Sequence, residues 1–306
     1  LQPLISIYRY ALEQIAPFTW FGIKICSLEL VAAFRLCVAL RQIKESLRAK
    51  HERKTRGDKL VVEERPFLRD ASTALTVKFG GEAIIGPLLG VPPSFMISGV
   101  SPGVYIAAQA IVEYIPVLPS VSLTMELPLS FVDGFTHAML LCSLIPPPVI
   151  THSSPVIASS PWTLLLPPFF SNLPSPSQVV ANGGFFITNM FSFLEPTPLT
   201  LTTPSQFKPY SWTTTDLWSA PMITGLYALL INAQPFWAEL HSVISTVLGG
   251  VSDKVQPLGP ESACALCALT LAGIFSTQTA KNFGLVWKTS EFYRVFSFWS
   301  RPDFFA

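Results

Sequence analysis

The stretch Val77-Lys78-Phe79-Gly80-Gly81-Glu82-Ala83-Ile84-Ile85-Gly86-Pro87-Leu88-Leu89-Gly90-Val91-Pro92-Pro93 decides the fold. It belongs to an apolar run, Ala71 to Leu89, of about the ~20 residues that a helix needs to cross a bilayer core. Yet the run carries Lys78 and Glu82, and ionisable groups at membrane depth are costly and therefore rare. Between them sits a double glycine, which removes side-chain bulk and permits a local break in the helical hydrogen-bond ladder. A second stretch has the same design: Asn182-Gly183-Gly184-Phe185-Phe186, followed by Glu195-Pro196-Thr197-Pro198. Each double glycine stands about a dozen residues ahead of a proline.

The composition agrees with a lipid-solvated chain. Of 306 residues, 50% are hydrophobic and only 13% are charged, against about a quarter charged in a soluble domain. So few charges cannot cover a water-facing surface of this size. The net charge of +1 gives no basic field for nucleic acid. The chain opens at Leu1, and its true start is expected upstream.

Counting outward from the opening stretch, the sequence predicts an all-α membrane protein with about seven transmembrane helices. The expected spans are 18–40, 71–89, 95–118, 127–145, a divided fifth (160–170 and 179–193), 214–233, and 263–275 extending toward Phe283. The fourth should stop at Pro146-Pro147-Pro148, because proline cannot continue a helix. In the fifth, Ser171 to Gln178 is polar and holds two prolines. It is a break inside a protein cavity, an extra loop, or an inserted segment, since lipid does not tolerate it. Residues 5–15 and 236–248 read as amphipathic helices lying in the interface. The domains follow: an N-terminal amphipathic segment over 1–17, a transmembrane domain over 18–285, and a tail over 286–306.

Lys and Arg set the orientation. Arg41, Lys44, Arg48, Lys50, Arg53, Lys54, Arg56, Lys59, Arg65 and Arg69 fall in one connection, and Lys208, Lys281, Lys288, Arg294 and Arg301 fall on the same side. Arg9 and Lys254 fall on the other. The basic side is expected to be cytosolic and to hold the C-terminus. The run over 41–59 reads as a solvated helix extension or as a weak site for anionic lipid.

Each double glycine falls in the middle of a group of three helices. Groups of an odd number alternate in orientation, so the spacing predicts two inverted three-helix repeats plus a final helix, an architecture recurrent in membrane transport. The glycine pairs Gly80, Gly81, Gly183 and Gly184 either line a shared cavity midway across the bilayer or permit close helix packing. Lys78 and Glu82, four apart, share one helical face and read as a charged pair at a pore or as a structural ion pair. Asp133 offers a carboxylate to a passing cation or caps a neighbouring helix. Glu29 and Arg35 lie on different faces of the first span and should reach separate partners. His137 reads as a satisfied buried histidine.

These features resemble the trimeric intracellular cation channel (TRIC) family. The resemblance is carried by Phe79-Gly80-Gly81, by Leu88-Leu89-Gly90-Val91-Pro92-Pro93, by Gly183-Gly184, and by the three-plus-three-plus-one arrangement with its orientation, over most of residues 18–285. The chain is also similar to a divergent fungal branch, with stretches such as Trp212-Thr213-Thr214-Thr215-Asp216-Leu217-Trp218. The resemblance implies a potassium-permeable channel of the endoplasmic reticulum or another intracellular membrane. It implies a homotrimer with a pore in each subunit, lined by glycine-broken second and fifth helices. One departure stands out: Pro128 to Leu141 offers Asp133 and His137 but no Lys or Arg, so phosphoinositide gating through that helix is not expected.

Enzyme chemistry is not expected. The sequence holds no phosphate-cradling Walker loop, no His-Glu-x-x-His and no GxSxG, and His152-Ser153 has no identified acidic partner. No cofactor or metal is expected: Cys264 and Cys267 lack the second pair or histidine of a zinc site and read as small apolar residues in a packed helix. Three functions stay open: a cation channel, a secondary transporter with a coupled site at Lys78, Glu82 and Asp133, and a non-transporting membrane protein.

Overall fold

The computed structural model describes residues 2–13, 15, 25–54, 66–90, 92–119, 121–171, 183–202, 215–247 and 256–283. The expectations for Ser171 to Gln178 beyond its first residue, for Trp212 to Thr214 and for the tail after 283 lie outside these residues. The elements are all helical, with no strand among the described residues. In chain order they are α1 (Gln2–Leu12), α2 (Ser27–Lys54), α3 (Phe67–Leu89), α4 (Ser94–Ile97), α5 (Val100–Tyr114), α6 (Leu123–Met139), α7 (Pro146–Ile150), α8 (Pro155–Ser159), α9 (Trp162–Ser171), α10 (Gly183–Met190), α11 (Thr215–Ile231), α12 (Pro235–Val247) and α13 (Pro260–Asn282).

The first helix triplet forms because apolar residues recur at helical spacing. On α2, Ala33, Leu36, Cys37 and Leu40 are buried in one core with Ala74 and Val77 of α3 and Tyr105, Ala108 and Val112 of α5. Beyond Leu40, α2 turns polar, and its charges tie the triplet together at that end. Lys44 reaches Asp70 of α3 at 2.7 Å and Glu113 of α5 at 3.1 Å. Arg41 donates to the carbonyls of Val112 and Ile115 at the end of α5, where the last carbonyls of a helix lack their usual i+4 donors; Val112 also accepts from the Ile115 N–H.

The second group centres on α6, α11 and α13. Their core joins Ala138, Leu141 and Cys142 to Ala220, Ile223 and Tyr227, and to Ala263, Cys264, Cys267, Ala268, Leu271 and Phe275. The α6–α13 pair is antiparallel, since Ser130 bonds Thr279 while Cys264 lies against the Ala138 carbonyl. Small residues permit the approach: a Cβ on Gly134 would meet Ala272 Cα at 2.5 Å. Cys264 and Cys267 are buried here as packing residues, each thiol 3.8 Å from a backbone carbonyl.

Two stretches among the described residues are long and apolar enough to cross a membrane, Leu123–Ile150 and Pro260–Asn282, while Trp218–Ile231 is a shorter apolar helix. Among the described residues the count of seven spans is therefore not confirmed. The other helices are interrupted by charge (Glu29 and Arg35 in α2; Lys78 and Glu82 in α3) or are short: α5 has 15 residues, α9 has 10 and α10 has 8. About half of each long apolar window is buried, 56% and 50%, and the rest turns large apolar side chains such as Met125, Phe131 and Leu269 outward.

The triple proline does not end helicity as expected. After α6, residues Leu140–Leu144 form a π-helical turn, and Pro146 and Pro147 open α7. Proline is tolerated in a first turn because its missing N–H would have no partner there.

Candidate functional site

Along α3, Lys78, Glu82, Gly86 and Leu89 lie on one face, and that face lines a cavity of about 590 Å³. Opposite stand Leu28, Glu29 and Ala32 of α2, Ser101 and Tyr105 of α5, and Thr136 and Met139 of α6. These residues come from the first two turns of α2 and α5, from the middle to the end of α3, and from the last turn of α6. The cavity therefore sits at one end of the bundle, away from the basic half of α2.

The end of α3 shapes the cavity. Gly90 takes φ 65 in the left-handed region, and its N–H returns to the carbonyls of Gly86 and Pro87. A side chain there costs roughly 1–2 kcal/mol, which glycine avoids. The turn brings Ser94 back to Glu82, whose Oε2 accepts from the Ser94 N–H at 3.0 Å and from its hydroxyl. Glu29 Oε1 accepts from the Ser101 hydroxyl at 2.6 Å. The Lys78 ammonium lies 5.7 Å from the centre of the Tyr105 ring and 5.8 Å from that of Phe79. Lys78 and Glu82 thus share the cavity wall but not an ion pair: Glu82 is engaged by Ser94, and Lys78 lies over aromatic faces.

Asp133 is not in this wall. It joins a buried cluster in which Arg35 reaches Glu126 at 2.8 Å and Asp133 at 3.3 Å. Glu126 and Asp133 stand two turns apart on α6, so one guanidinium bridges α2 and α6. Arg35 follows the cavity residues Glu29 and Ala32 along α2 and precedes Arg41 and Lys44. The cluster therefore forms a layer between the cavity and the basic end. His137 Nδ1 donates to the Asp133 carbonyl at 2.7 Å, and its ring meets Phe275 edge-on. His152 is likewise occupied by backbone: Nε2 donates to the Leu89 carbonyl, and Nδ1 accepts from the Ser154 N–H, both at 3.0 Å.

The two glycine pairs meet. A Cβ on Gly80 would stand 2.9 Å from Gly184 Cα, and one on Gly184 would stand 2.3 Å from the Val77 carbonyl oxygen. The pair is antiparallel, because Arg69, early in α3, reaches the carbonyls of Ser192 and Thr197 beyond the end of α10. The sequence allowed glycines facing an open cavity or glycines permitting close packing, and at Gly80 and Gly184 the contact is close packing, backbone against backbone. Nor does α3 break at its glycines. It runs unbroken through Gly80 and the buried Gly81, while Gly183 is the first residue of α10.

The sequence singled out Lys78 and Glu82 and missed Tyr105, Ser101 and Ser94. Glu29 carried the available signal, an acid inside an apolar run; Tyr105 carried none, because a tyrosine in such a run reads as packing. No family model, curated protein or solved structure matches the chain.

Proposed function

We propose that this chain is an integral membrane protein of an intracellular membrane such as the endoplasmic reticulum, and that it conducts monovalent cations, potassium among them, through each subunit of a homotrimer. On this reading α2–α3–α5 and α6–(α9/α10)–α11 are two inverted triplets, with α13 as the final helix and the basic end cytosolic. The carrying observation is the cavity over Lys78 and Glu82, which holds two carboxylates, Glu29 and Glu82, against one ammonium. That excess of negative charge favours cations, and several helices contribute to its wall. The antiparallel meeting of α3 and α10 at their glycines supports the inverted arrangement. In this proposal Gly80 and Gly184 hold the helices together, Lys78 and Glu82 line the path, and Asp133 belongs to the barrier at its inner end.

The test is single-channel recording of the full chain in planar bilayers. Potassium current is expected, and Glu82→Gln should lower its amplitude about two-fold or more. A well-folded preparation that carries no current would overturn the proposal.

A secondary transporter is the second reading, favoured by one observation: a buried, charge-paired cluster, Arg35 with Glu126 and Asp133, lies farther along α2 than the cavity residues Glu29 and Ala32, and paired ionisable groups at such depth suit coupled transport. Saturable flux driven by a proton or sodium gradient, without unitary currents, would select it.

A further inference from the structure

Tyr105 is 1% exposed, yet it lines the cavity and its hydroxyl has no hydrogen-bond partner among the described residues. A polar group on the wall of a largely apolar cavity can serve to orient a ligand that enters it. Two more acceptors converge with it. Glu29 uses Oε1 for Ser101 and Glu82 uses Oε2 for Ser94, which leaves the second oxygen of each without a donor among the described residues. The remaining wall is largely apolar, formed by residues such as Leu28, Ala32, Ile97 and Leu140. A mostly apolar cavity of a few hundred cubic ångströms with a few polar groups is the usual form of a small-molecule site.

The charges select the ligand class. Two carboxylates and an aromatic face disfavour an anion and favour a cation. Among the described residues no three His, Cys, Asp or Glu side chains converge as metal ligands. The apolar wall asks for more than a bare ion. The protein itself displays the matching chemistry, since the Lys78 side chain is a primary alkylammonium whose nitrogen lies 5.7 Å from the Tyr105 ring centre.

We infer that this cavity binds an organic ammonium compound with an apolar body, its nitrogen held by Glu29, Glu82 and Tyr105, and that Lys78 competes for the same place as a tethered ammonium. Such binding goes beyond cation permeation and does not depend on it.

The experiment is isothermal titration of the full chain in lipid nanodiscs with n-hexylammonium, with empty nanodiscs subtracted and hexanoate as the anionic control. Saturable binding at one site per chain is expected, with none for hexanoate. Glu29→Gln and Glu82→Gln keep the side-chain shape and should each weaken binding about ten-fold or more, the scale of one charge-assisted hydrogen bond. Lys78→Met should bind at least as tightly as the parent. The inference is overturned by absence of saturable binding, by hexanoate binding as well as hexylammonium, by parent-like affinity in the double Glu29→Gln/Glu82→Gln variant, or by weaker binding in Lys78→Met. Equilibrium binding is read without current, so a chain that conducts nothing can still pass, and a conducting chain can fail.

Discussion

Gly184 is the residue whose replacement the structure punishes most clearly. A methyl group there would enter the space of the Thr76 and Val77 carbonyl oxygens, at 2.4 and 2.3 Å, and backbone cannot swing aside as a flexible side chain does. Overpacking of this kind costs about 1–3 kcal/mol. Gly184→Ala is therefore expected to lower the unfolding midpoint in detergent by several degrees. Gly273, in the middle of α13, has nothing within 4 Å of the added carbon, and alanine is the better helix former by up to about 1 kcal/mol. Gly273→Ala should match or exceed the parent midpoint in the same scan. Equal losses in both variants would sink the distinction between a contact glycine and an open one. Arg35 poses the opposite problem. Arg35→Met leaves Glu126 and Asp133 buried around an apolar side chain, and breaking a buried ion pair costs roughly 3–5 kcal/mol. The triple variant Arg35→Met/Glu126→Gln/Asp133→Asn should recover most of that loss in chemical unfolding. A triple variant as unstable as the single one would show that the charges are not the cause.

Among the elements, the helices driven by apolar pattern were legible before any coordinates. The expected 71–89, 214–233 and 236–248 became 67–89, 215–231 and 235–247. What stayed hidden depended on tertiary partners. Lys78 and Glu82 stand four apart on one face, as their spacing requires, yet Glu82 chooses Ser94 because the left-handed turn at Gly90 folds the chain back onto α3. The two carboxylates of α6 share Arg35 of α2, a long-range choice that no spacing encodes. The triple proline misled for a local reason: a breaker within a helix is a good beginning for the next one. The Gly90 turn gives the prediction for this level. Gly90→Val should cost about 1–2 kcal/mol from the left-handed backbone alone. It should also speed hydrogen exchange at the Ser94 amide by loosening its bond to Glu82. Unchanged exchange there would mean that the turn does not position the 92–98 segment.

For the molecule as a whole, charge is layered along the bundle. One end carries Lys44 with Asp70 and Glu113, the middle carries Arg35 with Glu126 and Asp133, and the far end opens into the cavity with Glu29, Lys78 and Glu82. If the triplets are inverted in a membrane, exposed Lys50 and exposed Ser98 lie on opposite faces. In a Cys26→Ser background, Lys50→Cys and Ser98→Cys should react with an impermeant maleimide from opposite sides of sealed vesicles. Reaction of both from one side would remove the proposed topology. The contact between α3 and α10 sets how such a bundle can move. Where Gly80 faces Gly184, backbone meets backbone with the Ile187 side chain alongside, so few side chains interlock at the point of touching. The flanking hold is lateral and distant, from Arg69 to the carbonyls beyond α10. The touching point resembles the rivet of a pair of scissors: at a rise of ~1.5 Å per residue, a change of a few degrees in the crossing of α3 and α10 barely displaces Glu82, two residues from Gly80, but carries Leu89 at the end of α3 by about 1 Å.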